Sequence, residues 1–212
     1  MGILFERVLV LAPHTDDGEI GCGGTISRFV EEGCKVFYVA FSAAEKSVPR
    51  ELPNDILKEE VQRATAALGI RMDDLVTFDY QVRDFSTYRQ DILEDMVRLE
   101  KDIRPEMVLL PSPKDTHQDH EVIAHEAFRA FKKVTMLGYE IPWNNLTFNT
   151  SGFLFLQERH LSMKVEALKC YRSQQGKRYF NEDFVRSMAR MRGTQIGTDY
   201  AEAFEIIRWV MK

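Results

Sequence analysis

Two short stretches of the chain hold most of the side chains that are able to bind a metal ion. The first, LVLAPHTDDGEIGCGGT, spans residues 9–25, and the second, PSPKDTHQDH, spans residues 111–120. The first supplies His14, Asp16, Asp17 and Glu19, and the second supplies Asp115, His117, Asp119 and His120. Three of the five histidines of the chain lie in these stretches. A solvated loop needs no such concentration of imidazoles and carboxylates, whereas a metal site does.

The residue types indicate a particular chemistry. Two imidazoles and one carboxylate, with one position left for water, are a common ligand set of catalytic zinc. Such a metal lowers the pKa of bound water to about 7 and polarises a carbonyl oxygen. A second carboxylate beside the water is able to take its proton as a general base. Imidazole ligands favour zinc or iron over magnesium. Metal-assisted hydrolysis of an amide or ester is therefore one interpretation.

The glycines of the first stretch allow a second interpretation. The segment Gly21-Cys22-Gly23-Gly24 is able to cradle a phosphate at a helix N-terminus. The chain would then be a Rossmann-like nucleotide or sugar-nucleotide binding module without hydrolysis. The spacing is not G-x-G-x-x-G, however, and the acidic residues just before it would repel a phosphate. Asp16 or Asp17 alone is also able to cap the following helix.

The elements around the two stretches alternate between strand-like and helix-like patterns. Continuous apolar runs occupy 7–13, 35–42, 75–80 and 107–113, with helix-like stretches near 22–32, 55–68, 87–102 and 120–133. This alternation predicts βαβ units and an α/β fold with a Rossmann-like, doubly wound, mainly parallel sheet in three layers. Both metal-binding stretches follow strands, the first and the fourth. These strands are neighbours where the winding reverses, so we expect the stretches to meet.

The second half of the sequence is less regular. It predicts a strand at 153–158, helices at 160–172 and 181–191, and a last strand or helix at 204–210. No linker or repeat divides the chain. The sequence therefore predicts a single domain over 1–212 with a less regular C-terminal portion.

Composition narrows the classes of partner. The chain has 212 residues, a net charge of -5 and an isoelectric point of about 5.6. We expect no nucleic-acid partner, because no long basic run is present, and no integral membrane segment, because no apolar run is long enough. The three cysteines have no CxxC spacing and no secretion signal precedes them, which favours the cytoplasm. A homo-oligomer is compatible with these features.

Several motifs together resemble a known family. PHTDDGEIGCGG resembles the AHPDDE signature of the PIG-L/LmbE-like metal-dependent deacetylases, HQDH at 117–120 matches their HxDH, and AEAF at 201–204 also fits. The resemblance implies zinc-dependent removal of an acetyl group from an N-acetylated amino sugar. That sugar would be of the N-acetylglucosamine type, free or nucleotide- or lipid-linked, in glycan or glycoconjugate biosynthesis. An amidase acting on another acylated small molecule is the alternative within the same chemistry.

The resemblance also implies roles for individual residues. His14, Asp17 and His120 would be the metal ligands, with Zn²⁺ as the metal and another divalent transition metal as the alternative. Asp16 would be the general base. His117 would stabilise the oxyanion or protonate the leaving amine. Asp119 would orient a metal-binding histidine without contacting the metal, or else cap the helix that starts near 120.

Two departures from the family pattern concern the site and the substrate. Thr15 replaces the usual proline of His-Pro-Asp-Asp, but the His-x-Asp-Asp spacing is intact. Ser42-Ala43-Ala44-Glu45 stands where relatives often carry Thr-Arg-Gly-Glu, and the missing arginine and glycine suggest a different loop and a different substrate. Glu45 remains at the strand end, so we expect it to bind sugar hydroxyls. Arg83 is expected to hold a phosphate or carboxylate on the substrate, unless it forms a surface ion pair with Asp79 or Asp84.

Four further features have no assigned role. Gln174 is read as structural or as lining the site, and the basic residues between 177 and 192 as a solvated face or a phosphate-binding face. Tyr139 and Trp143 are able to stack on a sugar ring, although burial or an interface is the more frequent fate of such aromatics.

Overall fold

Seven strands form one sheet in which the first and fourth strands are central neighbours. The computed structural model describes residues 5–43, 48 and 51–211. The strands are β1 (Arg7–His14), β2 (Lys35–Ser42), β3 (Leu75–Thr77), β4 (Met107–Pro111), β5 (Thr135–Tyr139), β6 (Gly152–Leu156) and β7 (Tyr200–Arg208). Their order is β3-β2-β1-β4-β5-β7-β6. The first five in that order are parallel, and β7 runs antiparallel to both of its neighbours. The predicted mainly parallel sheet and the β1/β4 pairing are confirmed.

Helices cover both faces of this sheet. They are α1 (Asp17–Glu31), α2 (Ile56–Ala67), α3 (Arg89–Ile103), α4 (Gln118–Ala130), α5 (Glu158–Lys169) and α6 (Glu182–Gln195). Val8 and Val10 of β1 pack in the core beneath α1, α2 and α5, whereas Leu9 and Leu11 pack in the core with α3 and α4. A strand buried on both faces explains why its sequence is continuously apolar. The three-layer prediction is confirmed.

Some element boundaries differ from those expected. The helix α1 begins at Asp17, five residues before the predicted start, because the glycines of this segment hide its helical pattern. Strand β3 ends at Thr77, whereas the sequence suggested a strand to 80. Strand β5 was missed, because Thr135 and Gly138 interrupt its apolar pattern. The last element is a strand, β7, which joins the C-terminal portion to the sheet.

A helix needs sufficient length and apolar character to cross a membrane. None of the helices within the described ranges combines the two.

Candidate active site

Three electron-pair donors converge where β1 and β4 end. His14 is the last residue of β1, Asp17 is the first residue of α1, and His120 lies in the first turn of α4. The Asp17 Oδ2 atom lies 3.0 Å from His14 Nδ1 and 3.1 Å from His120 Nε2. The two histidine nitrogens lie 3.3 Å apart. All three residues are buried. The two stretches that the sequence separates therefore meet, as expected.

Carboxylates behind the two rings fix their tautomers. His14 Nε2 lies 3.0 Å from Asp119 Oδ2, and His120 Nδ1 lies 2.7 Å from Asp115 Oδ2. A carboxylate accepts hydrogen bonds, so each of these nitrogens carries a proton and donates it. The opposite nitrogen of each ring faces Asp17, and it would offer its lone pair to a metal ion that displaces its proton. Such carboxylate–histidine pairs typically orient metal-binding histidines.

The spacing of the three donors fits a metal ion. Zinc ligands at about 2.0–2.1 Å in a tetrahedron lie about 3.3 Å from one another. The observed separations of 3.0, 3.1 and 3.3 Å are close to that value. The ring nitrogens of His14, His117 and His120 also lie within 4.8 Å of one another. A metal bound by His14, Asp17 and His120 would therefore have His117 beside it.

The charges around these atoms also favour a cation. Burial alone would lower the pKa of His14, but Asp17 and Asp119 raise it to about 9. Burial opposes charge on His120 in the same way, yet Asp17 and Asp115 raise its pKa to about 10. Burial raises the pKa of Asp17, but His120 and His14 outweigh this and hold it well below its usual value. In the absence of metal, protons thus supply positive charge at this point.

His117 and Asp16 flank the three donors and line the same cleft. His117 caps α4, since its Nδ1 accepts the Asp119 backbone N–H at 3.2 Å, and its other nitrogen, Nε2, is left as the proton donor. Burial, followed by His120 and His14, lowers the pKa of His117 to about 4, so the ring is neutral. Burial and the charge of Asp17 raise the pKa of Asp16 above its usual value.

The motif that carries Asp16 and Asp17 is held from beneath by Glu19. This carboxyl is fully buried and contacts the hydroxyls of Tyr38 and Tyr171, both of which also donate to the Thr15 carbonyl oxygen. Burial raises the pKa of Glu19 to about 8. The position of Thr15 is therefore set by hydrogen bonds to its backbone, which any residue type offers.

Arg83 faces the cleft from the loop after β3. Its φ of 72° lies in the left-handed region, which is uncommon for a residue other than glycine. The Arg83 N–H donates to Asp119 Oδ2 at 2.7 Å, which holds this backbone in place. Among the described residues Arg83 forms no ion pair; Asp79 pairs with Lys58, and Asp84 accepts the Thr87 hydroxyl. The surface ion pair considered from the sequence is therefore wrong.

Aromatic side chains close the other side of the cleft. Trp143 stacks on Tyr179 with ring centroids 3.8 Å apart, and Lys177 lies 5.6 Å from the Tyr179 ring centre. The Trp143 side chain is 43% exposed, so its outer face is available to a ligand. Gln174 is buried and also lines the cleft. The Tyr179 platform was missed, and no spacing in the sequence signals it.

The structure also bears on the roles expected for Tyr139 and Asp119, whereas Glu45 is not described. Tyr139 is fully buried in β5 and donates its hydroxyl to Leu11 O, so it is not a sugar-stacking residue. The alternative of Asp119 as a helix cap is wrong, because His117 holds that position. Glu45 lies outside the described residues. Asp115, present in the second stretch but given no role there, supports His120.

The basic residues near the C-terminus do not form one phosphate-binding face. Arg186 pairs with Glu158 and Glu182, and Arg192 pairs with Glu140. Of this group, Lys177 lines the cleft.

The phosphate-cradle interpretation of the glycines is also contradicted. The N–H groups of Gly24 and Thr25 both donate to the carboxylate of Glu202, at 3.1 and 2.7 Å. A phosphate at this point would have to displace a buried carboxylate.

Relatives of the chain match it over most of its length. The uncharacterized deacetylase YaiS of Escherichia coli is 25% identical over 174 residues, which cover 79% of this chain and 91% of that protein. The diacetylchitobiose deacetylase of Thermococcus kodakarensis is 24% identical over an alignment of 233 positions that covers 95% of this chain and 83% of that protein. The solved structure of the N,N'-diacetylchitobiose deacetylase from Pyrococcus horikoshii superposes with a TM-score of 0.80 at 22% identity, covering 96% of this chain and 84% of that one.

A family model identifies the chain more directly. The model described as PIG-L: GlcNAc-PI de-N-acetylase matches residues 9–131, which is more than half of the chain and includes the stretches that carry His14, Asp17 and His120. Fold, site and match together define the class of the protein, which is an N-deacetylase and thus a hydrolase. The chain belongs to the PIG-L family.

Proposed function

We propose that the chain is a zinc-dependent hydrolase that removes the acetyl group from an N-acetylated amino-sugar derivative of the N-acetylglucosamine type. One observation carries the proposal: Asp17 Oδ2, His14 Nδ1 and His120 Nε2 lie within 3.3 Å of one another. Because Asp119 and Asp115 hold the other nitrogen of each ring as a proton donor, both imidazoles would bind a metal through the nitrogen that faces Asp17. These three residues are the proposed ligands.

The chain's own residues supply the proton transfers. When bound, the metal would lower the pKa of a water molecule and polarise the acetyl carbonyl. Asp16 takes the proton of the attacking water and delivers it to the leaving amine, so that acetate and a free amino sugar result. Its raised pKa suits a group that must both accept and return a proton. His117 donates its Nε2–H to the oxygen on which negative charge develops.

The substrate contacts are proposed from the lining of the cleft. Arg83 is an unpaired cation at the cleft among the described residues, which supports its predicted role in holding a phosphate or carboxylate on the substrate. Trp143 and Tyr179 offer a face for a sugar ring. Relatives named as diacetylchitobiose deacetylases support a carbohydrate substrate. Glu45 as a ligand of sugar hydroxyls, a cytoplasmic location and a single domain over 1–212 stay predictions.

Metal content and acetate release together test the proposal. We expect about one transition metal per purified chain, measured by elemental analysis, and acetate release from N-acetylglucosamine derivatives. Asp16→Asn should keep the metal and lose turnover by a factor of about 10²–10⁴. His120→Ala should lose both metal and turnover.

The control is His125→Ala, on the same helix as His120 but exposed and outside the cleft, which should keep both. A chain that takes up no metal on reconstitution would contradict the mechanism. Near-normal turnover of Asp16→Asn would instead contradict the general-base role alone.

A further inference from the structure

The helix that carries Asp17 is broken one turn after it begins. Cys22 has φ -145° and ψ 24°, which are not helical values. In a regular helix the N–H groups of Gly24 and Thr25 would donate to the carbonyls of Ile20 and Gly21. The break removes these bonds inside the protein, where unpaired backbone groups are costly. Something else must therefore satisfy them.

A buried ion pair from α5 and β7 fills the break. Glu202 of β7 accepts the N–H of Gly24 at 3.1 Å and the N–H of Thr25 at 2.7 Å. Lys164 of α5 donates to the carbonyl oxygen of Ile20 at 2.7 Å and to Glu202 at 2.6 Å. The side chains of Lys164 and Glu202 are only 9% and 7% exposed. Their polar atoms are thus used in holding the two parts of α1.

The signs of the two charges match the ends that they cap. The first part of α1, Asp17–Gly21, ends at the break, and its C-terminal carbonyl receives the cation. The second part begins there, and its N-terminal N–H groups receive the anion. Each charge lies at the end of a helix dipole where it is stabilising. This explains why a charged pair, which is costly to bury without such partners, is tolerated here.

The surrounding packing permits this arrangement because the segment is rich in glycine. A Cβ atom on Gly24 would lie 2.4 Å from Leu156 Cδ1 and 3.2 Å from Glu202 Oε1. A Cβ atom on Gly21 would lie 2.2 Å from the ring of the buried Tyr139. The first part of α1 is therefore pressed against β5, and its direction depends on what caps it.

We propose that Lys164 and Glu202 are positioning residues that set the direction of the first turn of α1 and so place Asp17 and Asp16 at the cleft. The inference rests on the proposed function, which makes Asp17 a metal ligand and Asp16 the base. It gives a role to Glu202 of the AEAF segment, which the metal site itself does not contact.

Glu202→Gln tests this role, because the amide keeps one acceptor oxygen but places an NH₂ group against the remaining helix N–H. The measurement is the affinity for Co²⁺, followed by its visible absorption spectrum, together with the melting temperature and kcat/KM. We expect Co²⁺ to bind at least tenfold more weakly, with an altered spectrum. The control is Leu99→Ala, a buried change in α3 on the opposite face of the sheet. It should lower the melting temperature and leave Co²⁺ affinity within twofold.

The outcomes distinguish a failure of the proposed function from a failure of this inference alone. If the unaltered chain binds no Co²⁺, both the proposed function and this inference fail. If it binds Co²⁺ and Glu202→Gln behaves like Leu99→Ala, losing melting temperature but not Co²⁺ affinity, the pair is merely structural and the inference alone is overturned. If Glu202→Gln does not fold, Glu202→Asp keeps the charge and shortens its reach, and the same comparison with Leu99→Ala applies.

Discussion

At His14 and His120, the two proposed histidine ligands, a carboxylate decides which ring nitrogen donates away from the metal position. Asp119 does more than this, since Oδ2 also accepts the Arg83 N–H, and Oδ1 the Phe85 N–H at 3.4 Å. One fully buried side chain therefore joins a proposed ligand to a proposed substrate contact. This makes Asp119 the most informative residue to change without touching a ligand.

We predict that Asp119→Asn weakens metal binding by about 10–100-fold, the usual effect of losing such a partner. The amide has one acceptor oxygen for three donors, so His14 or the Arg83 backbone loses its hydrogen bond. Competition against a chelator of known affinity measures the change. Asp84→Asn is the control. Asp84 lies next to Arg83 in the loop after β3 but accepts the Thr87 hydroxyl, so this variant should bind metal normally. Equal affinities for the two variants would remove Asp119 from the site.

Arg83 leads to a prediction about substrate choice. Arg83→Gln should raise KM by about tenfold or more for an N-acetylated amino sugar that carries a phosphate or carboxylate, because a charge-assisted hydrogen bond is lost. It should leave KM for an uncharged N-acetyl glycoside unchanged. Steady-state kinetics on the two substrates measure this, with the exposed Arg178→Gln, outside the cleft, as control. An equal effect on both substrates would show that Arg83 does not recognise the negative charge of the substrate.

At the scale of elements, α1 shows how one segment supports two interpretations. Its glycines suggested a phosphate cradle, yet in the structure they allow close packing and a break in the helix. The partners that decide this, Lys164 and Glu202, lie 144 and 178 residues away from the backbone groups they bind. No local pattern carries that information. The His-x-Asp-Asp spacing, in contrast, depends only on a strand end and a helix start, so sequence was enough to predict that meeting point.

The packing of α1 leads to a stability prediction. Gly21→Ala should destabilise the fold by about 1–3 kcal/mol, because its Cβ would overlap the ring of Tyr139, which is fully buried and cannot move away. Gly152→Ala in β6 is the control, since its Cβ would meet Ile206 Cγ1 at 3.2 Å and Ile206 is 42% exposed, so that side chain has room to shift. Denaturant unfolding compares the two variants. If Gly21→Ala is as stable as Gly152→Ala, the close approach to Tyr139 does not constrain α1.

At the scale of the whole molecule, the topology explains what was predictable. The parallel order β3-β2-β1-β4 follows from long apolar runs joined by helices, and it brings His14 and His120 together. The aromatic side of the cleft does not follow from this strand and helix pattern. Trp143 follows the short β5, and Tyr179 lies between α5 and α6, so their stacking depends on how irregular segments fold back over the sheet.

The proposed metal joins β1, α1 and α4, so it should stabilise the entire fold and not only the cleft. A metal that binds only the folded chain at 100 times its Kd contributes about 2.7 kcal/mol. For a chain of this size, that corresponds to a rise in melting temperature of about 5–11 °C. We predict that removing the metal with a chelator lowers the melting temperature by this amount and that Zn²⁺ restores it, as measured by scanning calorimetry. His120→Ala should melt at one temperature with or without Zn²⁺, whereas His125→Ala should respond like the unaltered chain. A shift of equal size in His120→Ala would place the stabilising metal somewhere other than this site.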